Sequence, residues 1–228
     1  MLEYRLEAKL IVFDVGGTVI RDTADVASVF TAALQRHGIM VPFAKIQSLR
    51  GASKRDAIKA LARAADEDPE DVYRTFQKLL LARLVERGVE PIQGIEPCFE
   101  RLRGHRIKLA LTTGFDTKVM NQILEQLRWQ NMVDVIITSD DVVRGRPQPD
   151  QILAAMRNVA VPNTKSVVSV GDTVNDLLAA EAADVGASIG ILTGAHNKER
   201  LKSVVHTAIL HSAADVPRWL EEHCWVAM

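Results

Sequence analysis

The organisation of this chain is decided by residues 10–19, which read LIVFDVGGTV. The apolar residues at the start predict a buried parallel strand, and Asp14 follows where that strand would end. Ligands of open α/β sheets bind at the carboxyl ends of the strands, so Asp14 occupies a position where chemistry is expected. Gly16 and Gly17 then allow the backbone to come close to a ligand. For this stretch alone, an ordinary Asp-Gly turn is the alternative.

Length and composition limit the classes of protein to which the chain can belong. It has 228 residues, of which 47% are hydrophobic and 25% charged, and a formal net charge of −1. These values are ordinary for a globular protein. The near-neutral charge does not favour a nucleic-acid partner, and the apolar runs are too short to cross a bilayer. The charged first residues predict no signal peptide, and the distant Cys98 and Cys224 predict reduced thiols. We therefore expect a cytoplasmic protein that binds neither nucleic acid nor membrane.

Helical periodicity dominates the region from residue 21 to residue 91, which contains no convincing strand. Ser53, with Asp56 three residues later, gives the pattern of a capping box at the start of one helix. The predicted helices cover residues 22–39, 42–49, 53–65 and 68–87. This shift in composition predicts an all-helical unit inserted after the first strand.

From residue 92 onward, predicted strands and helices alternate. The strands are predicted at residues 107–111, 133–138, 166–170, 187–192 and 207–210. The helices are predicted at residues 95–102, 117–127, 149–159, 174–183 and 213–223. Such alternation indicates βαβ units and a parallel sheet with helices on both faces. We therefore predict an α/β fold with a Rossmann-like core of residues 1–20 and 92–228 and a helical cap domain of residues 21–91.

Four polar, turn-rich stretches follow strands of this predicted sheet. They are residues 14–18 (DVGGT), 112–114 (TTG), 145–147 (GRP) and 171–176 (GDTVND). In this order and spacing they resemble the four motifs of the haloacid dehalogenase superfamily, and the resemblance covers almost the whole chain. Taken singly, each residue has a plainer interpretation: Thr113 as a helix cap, Asp172 and Asp176 as solvated residues, and Arg146 as a surface residue. Their joint placement favours a site.

The resemblance implies a role for each of these residues. Asp14 would be the nucleophile that forms an aspartyl-phosphate, and Mg²⁺ would be held by Asp14, Asp172 and the backbone carbonyl of Gly16. Asp176 would orient waters or Arg146, and Arg146 would stabilise the charge on the transferring group. The residues implied to bind the phosphate, besides Arg146, are Gly17, Thr18, Thr113 and Gly114.

Two departures from the usual superfamily pattern point to one branch of it. The second aspartate of the first motif, a general acid and base, is replaced by Gly16, and the lysine of the third motif by Arg146. Both replacements recur in phosphonoacetaldehyde hydrolases (phosphonatases) and their relatives, which cleave a carbon–phosphorus bond through a Schiff base to a cap lysine. Lys54, in the stretch GASK at residues 51–54, matches that lysine. Its place in the first turn of a helix disfavours the ammonium form, although a solvated cap lysine is the alternative.

Two further positions differ from the phosphonatase pattern. Ala57 stands where those enzymes carry a histidine, and Phe115 stands where they carry a tyrosine. The substrate therefore stays open between a small phosphonate such as phosphonoacetaldehyde and a phosphomonoester with a good leaving group, and a ligand-binding relative without activity is a third alternative. A monomer and a homodimer formed through the apolar run at residues 79–82 are both compatible with the sequence.

Overall fold

The computed structural model describes residues 6–22, 24–49 and 53–225. The strands are β1 (Leu6–Glu7), β2 (Leu10–Asp14), β3 (Lys108–Thr112), β4 (Val135–Ile137), β5 (Val167–Gly171), β6 (Ala187–Ile191), β7 (Ala208–Leu210) and β8 (Cys224–Trp225). The helices are α1 (Val26–Arg36), α2 (Phe43–Ser48), α3 (Lys54–Ala64), α4 (Pro69–Arg87), α5 (Ile95–Gly104), α6 (Thr117–Leu127), α7 (Asp150–Asn158), α8 (Val174–Ala182), α9 (Lys198–Leu201) and α10 (Val216–His223).

Six of the strands form one parallel sheet in the order β4-β3-β2-β5-β6-β7. All five residues of β2 are buried, as expected for a central parallel strand. The strand pairs with β3 on one side and β5 on the other, so the strand order reverses at β2. Ligands of open α/β sheets bind beyond the carboxyl ends of the strands at such a reversal. The predicted α/β fold is confirmed.

The two faces of the sheet are covered by separate apolar clusters. Side chains alternate along β2, so that Ile11 and Phe13 join one cluster and Leu10 and Val12 the other. The cluster around Phe13 is continuous with the apolar faces of α1, α3 and α4, and it includes Phe76. The core and the helices that follow β2 therefore share one hydrophobic interior.

The helical insertion that the sequence predicts lies between β2 and α5. Its longest helix, α4, begins close to the predicted start at residue 68. Asp68 caps this helix by accepting a hydrogen bond from the Glu70 amide at 3.0 Å, and Pro69 occupies the first turn. It ends before Gly88, whose φ of 72° suits glycine. Of the apolar run at residues 79–82, Leu80 is fully buried in the chain's own core. The division at residues 20/21 and 91/92 stays a prediction.

The structure corrects several predicted boundaries. The first helix begins at Val26 instead of residue 22, because Asp25 is the N-cap and accepts a hydrogen bond from the Ser28 amide. The strand predicted at residues 133–138 is only three residues long. The short parallel pair of β1 and β8 is not predicted by the sequence pattern, since two-residue strands carry no periodicity. Among the described residues, no helix combines the length and apolar character that a membrane span requires.

Candidate active site

Asp14 ends the central strand and is buried, with 7% of its surface exposed. Its Oδ1 accepts a hydrogen bond from Nη1 of Arg146 at 2.5 Å. Arg146 is equally buried, although it lies 132 residues further along the chain in the loop before α7. A buried carboxylate and a buried guanidinium therefore meet at the middle of the sheet, where the sequence motifs place them.

Asp172 and Asp176 follow β5, the strand beside β2. Thr173 and Asp176 form a capping box at the start of α8, in which Asp176 Oδ2 accepts from the Thr173 amide at 2.9 Å. The other oxygen of Asp176 accepts a hydrogen bond from the same Nη1 of Arg146. Asp176 thus fixes the start of the helix and holds Arg146 in place, whereas the sequence motif indicated only the second contact.

Three carboxylates and the guanidinium of Arg146 form a buried cluster at the end of the central strand. Ligand oxygens of Asp14, Asp172 and Asp176 lie within 4.8 Å of one another, and all three residues are buried. Carboxylates that water does not solvate need positive partners nearby. A divalent cation that prefers carboxylate oxygens offsets this charge. The donor set therefore fits Mg²⁺.

Gly16 lies in the turn after β2 and lines the same cavity as Asp14 and Asp172. Gly16 and Ile20 form a parallel β-bridge, in which the Gly17 amide donates to the Ile20 carbonyl and the Ile20 amide donates to the Val15 carbonyl. The Gly16 carbonyl takes part in neither of these two hydrogen bonds. A Cβ built on Gly16 would meet only the ring of Phe115, at 3.9 Å. There is consequently room for a side chain at the position where the superfamily carries its second aspartate.

A loop that the sequence analysis overlooked encloses Asp172. The amide of Ala195 donates to Asp172 Oδ2 at 2.6 Å, and the glycines at 17 and 194 both have backbone against the same carboxylate. Gly17 has a φ of 89°, and a Cβ there would lie 2.6 Å from Asp172 Oδ2. Residues 193–195 follow β6, so the rule that function lies at the ends of parallel strands was a usable signal.

The turn after β3 leads into α6 at the predicted residues, but Thr113 does not have the capping role that was its plainer interpretation. Helix α6 starts at Thr117 and is capped by Asp116, so Thr113 does not cap it. The Thr113 hydroxyl instead accepts from the Phe115 amide at 3.2 Å, and the carbonyl of Thr113 accepts from the buried side chain of Gln151 at 2.7 Å. Thr113 and Gly114 nevertheless line the same cavity as Asp14.

Two of the residues implied to bind phosphate do not line that cavity. Thr18 is fully buried, and its hydroxyl finds no hydrogen-bond partner among the described residues. Gly17 packs against Asp172, and its carbonyl accepts from the Thr193 hydroxyl at 2.8 Å. Both residues shape the turn that carries Gly16, and their part in binding phosphate stays a prediction.

Lys54 reaches the cavity from the first turn of α3. Ser53 caps this helix by accepting from the Asp56 amide at 3.2 Å, as the sequence predicts. The Lys54 ammonium donates to the carbonyl of Leu49 at 3.2 Å, and the side chain lines the cavity together with Asp14 and Arg146. The residues at 50–52, which complete the matched stretch, lie outside the described part of the chain. Lys54 is thus a partly buried residue facing the cluster across the cleft.

The cleft between the sheet and the inserted helices has an empty volume of about 900 Å³, open solvent included. Its floor is polar and is formed by the ends of β2, β3 and β5 with Arg146. Its opposite wall comes from the inserted segment and is mainly apolar, with Phe30 on α1 and Ile46 on α2 among the lining side chains. The charged residues Arg21, Asp22 and Lys54 also line the cleft. Such a cleft can bind a ligand whose anionic group lies at the floor and whose organic group lies at the wall.

A buried polar contact ties the inserted helices to the core beside the cleft. Tyr73 on α4 donates its hydroxyl to Asp116 at 2.5 Å, and Gln77 donates to the same carboxylate oxygen at 2.8 Å. Burial and the hydrogen bond to Asp116 raise the pKa of Tyr73 well above its usual range, so the hydroxyl stays protonated and remains a donor. The Arg55 guanidinium lies 4.2 Å from the centre of the Tyr73 ring. Because Arg55 follows Lys54, this contact also braces the start of α3.

A Rossmann-like core with an inserted helical unit and a carboxylate cluster at the central strand defines the class of protein, and comparison with known proteins agrees. A family model for haloacid dehalogenase-like hydrolases matches residues 11–210. The phosphonoacetaldehyde hydrolase of Bacteroides fragilis is 32% identical over 142 residues, which are 62% of this chain and 53% of that protein. The phosphonoacetaldehyde hydrolase of Parabacteroides distasonis is 30% identical over 178 residues, covering 71% and 67%.

The solved structures agree with the fold. A hydrolase from Pseudomonas syringae superposes with a TM-score of 0.83 at 22% identity, covering 95% of this chain and all of that one. The match to the Bacteroides fragilis relative spans only about half of that protein's length. The chain belongs to the haloacid dehalogenase-like hydrolase family.

Proposed function

We propose that this protein is a Mg²⁺-dependent, phosphonatase-like hydrolase that cleaves the carbon–phosphorus bond of a small phosphonate through an aspartyl-phosphate on Asp14. The observation that carries the proposal is the shared cleft of Asp14, Arg146 and Lys54, with a glycine where a general acid would stand. The similarity to phosphonoacetaldehyde hydrolases supports the same reaction type. Phosphonoacetaldehyde is the reference substrate of this proposal.

Lys54 prepares the substrate by covalent chemistry. Its neutral amine adds to the carbonyl carbon of the substrate, one proton is taken up from solvent, and water leaves as the protonated Schiff base forms. The positive nitrogen then lies two bonds from the carbon that carries phosphorus, where it can accept the electron pair of the breaking bond. A leaving group activated in this way departs as a neutral enamine and needs no proton, which agrees with the absence of an acid side chain at Gly16.

Asp14 carries out the displacement at phosphorus. One oxygen of its carboxylate forms a bond to phosphorus while the carbon–phosphorus bond breaks, and the electron pair of that bond goes to the enamine. Arg146, which donates to Asp14, lies where it stabilises charge on the transferring group. Water then hydrolyses the aspartyl-phosphate to inorganic phosphate. The enamine takes up a proton at carbon, and hydrolysis of the imine releases the aldehyde and Lys54.

The cofactor of the proposal is Mg²⁺, held by Asp14, Asp172 and the carbonyl of Gly16. When bound, it would offset the negative charge of the phosphonyl group that otherwise repels the attacking carboxylate. Asp176 keeps Arg146 in place beside this group. A cytoplasmic location belongs to the same proposal and is supported by the buried, unpaired thiol of Cys98. The oligomeric state is proposed only as monomer or homodimer.

Reductive trapping tests the role of Lys54. Incubation with phosphonoacetaldehyde, Mg²⁺ and borohydride should inactivate the protein and leave a reduced adduct on Lys54, located by peptide mass spectrometry. Lys54→Ala should abolish both the adduct and the release of phosphate, whereas Lys59→Ala, on the exposed side of the same helix, should change neither. Schiff-base chemistry would be contradicted if the parent protein released phosphate without forming an adduct and the Lys54→Ala variant kept that activity.

Metal dependence is tested on the same preparation. Excess chelator should abolish phosphate release, and Asp172→Asn should weaken Mg²⁺ binding measured by calorimetry by about tenfold or more, since carboxylates dominate Mg²⁺ affinity. Asp184→Asn is the matched control, because that residue is exposed and forms a surface ion pair with Lys165. Full activity in excess chelator would rule out the proposed cofactor.

A further inference from the structure

The cavity above Asp14 has apolar side chains opposite its polar floor. Six of them come from four helices and the turn before α6: Ala27, Phe30, Ile46, Leu84, Phe115 and Ile123. All of these except Phe115 are at least 94% buried, yet they border an open space. Protein interiors are close-packed, so a space with such a lining in contact with the reaction site is available to a ligand.

The apolar wall has a fixed position relative to the reacting phosphorus. Phe115 marks the boundary between the polar floor and the apolar wall of the cavity. Its ring lies 3.9 Å from the position that a Cβ on Gly16 would have, and it lines the cavity together with Asp14. A phosphonyl group held at Asp14 and Arg146 would therefore direct its organic substituent away from the sheet, toward α1 and α2. Lys54 enters the same space from the start of α3 and can reach a carbonyl near the phosphorus.

We infer that the substrate is a phosphonate whose organic part ends in an apolar alkyl group of several carbons, seated between α1, α2, α4 and α6. This inference rests on the proposed function, because it assigns the substrate class of that same site. The side chains of Ala27, Phe30 and Ile46 offer no polar group to a substituent of the substrate. An alkyl extension beyond the carbonyl carbon removes their surface from water and gains affinity in proportion to the area covered.

Saturated alkylphosphonates test the inference, because they lack the carbonyl that cleavage needs and so report binding alone. Calorimetry with Mg²⁺ present should give dissociation constants that fall about fourfold for each methylene from methylphosphonate to butylphosphonate, the factor expected for burying one methylene. Ala27→Leu, which fills the apolar wall, should reduce this gain to less than twofold per methylene and leave methylphosphonate binding unchanged. Ala32→Leu, on the same helix but outside the cavity lining, is the matched control.

The outcomes separate the inference from the proposed function. Equal affinity of the parent for methylphosphonate and butylphosphonate would overturn the apolar substrate class while leaving phosphonate binding at Asp14 intact. No binding of any member, inorganic phosphate included, would overturn the proposed function and with it the inference. Because the chain-length series is measured on the unchanged protein, the test does not depend on the folding of Ala27→Leu.

Discussion

Asp176, which follows β5, makes two separate contacts through its two carboxylate oxygens. One carboxylate oxygen closes the capping box of α8, and the other accepts a hydrogen bond from Arg146, which in turn binds Asp14. Removing one partner of a buried, hydrogen-bonded charge pair leaves the other without compensation, at a cost of about 3–5 kcal/mol. The local helix start and the orientation of Arg146 are therefore coupled through one side chain.

At the same scale, Gly16 separates the two enzyme alternatives. Gly16→Asp should keep Mg²⁺ binding, because the backbone carbonyl remains, and should add a carboxyl that can protonate a departing alkoxide. The structure offers the space, since the nearest side-chain atoms to the new Cβ are those of Phe115 at 3.9 Å. Hydrolysis of an alkyl phosphate should rise by up to about 10²–10⁴-fold, measured as phosphate release at saturating Mg²⁺.

Gly16→Ala is the matched control, because it adds the Cβ without the acid, and it should leave alkyl phosphate hydrolysis near background. Aryl phosphates should respond less to Gly16→Asp, since their leaving groups depart with little assistance. A parent that already hydrolyses an alkyl phosphate at about 10 per second would show that another group supplies the proton, and a phosphatase would then be the better interpretation of the site.

At the scale of elements, the start of α3 rests against the loop that carries Arg146. A Cβ on Gly145 would lie 2.8 Å from the Cβ of Ser53, the N-cap of the helix that begins with Lys54. Only a residue without a side chain allows this approach. The contact between Ser53 and Gly145 therefore places the start of the helix that carries Lys54 against the loop that carries Arg146.

Gly145→Ala should push the start of α3 away from the loop and lower both phosphate release and borohydride trapping of Lys54. Displacements of about 1 Å cost up to about 10²-fold in rate, so we expect a loss of about tenfold or more with little change in thermal stability. Gly104→Ala is the control, because a Cβ there meets no atom within 4 Å. Equal rates in the two variants would show that the contact does not position Lys54.

At the scale of the whole molecule, the inserted helices and the core share one apolar interior, and a buried polar contact also joins them. The buried carboxylate of Asp116 caps α6 and accepts hydrogen bonds from Tyr73 and Gln77 of α4. Arg55 covers the Tyr73 ring and lies 3.9 Å from Asp140 of the core. This arrangement ties the inserted helices to the core beside the cleft that contains Asp14.

Tyr73→Phe should lower the free energy of unfolding by about 1.5–3 kcal/mol, because it removes a hydrogen bond to a buried charged group. Thr31→Val is the matched control, since it removes a hydroxyl that donates to the Ala27 carbonyl within α1.

The pKa of Tyr73 is raised on folding, so the Tyr73 hydroxyl contributes fully to the free energy of unfolding below pH 10, the pKa of an unperturbed tyrosine. This contribution is lost as the pH rises further. The stability difference between parent and Tyr73→Phe should therefore shrink above about pH 10, measured by denaturant unfolding; a difference that stays constant would contradict the buried hydroxyl.

The sequence alone determined the parallel sheet, the helical insertion and the position of the candidate site. These features follow from local patterns: apolar runs of strand length, helical periodicity, caps such as Ser53 and Asp68, and polar turns after β2, β3 and β5. Residues at the ends of neighbouring parallel strands meet whatever the details of packing. For that reason the order and spacing of the motifs suffice to group Asp14, Arg146, Asp172 and Asp176 in one site.

Only the tertiary structure decided how these residues are held and what lies opposite them. The amide of Ala195 against Asp172, the approach of Gly145 to Ser53 and the hydrogen bond from Tyr73 to Asp116 each join residues more than 20 positions apart. The apolar wall facing Asp14 likewise comes from four helices whose relative placement no local pattern encodes. Such contacts depend on how side chains pack between elements, and the periodicity of a sequence specifies which face of a helix is buried but not which partner covers it.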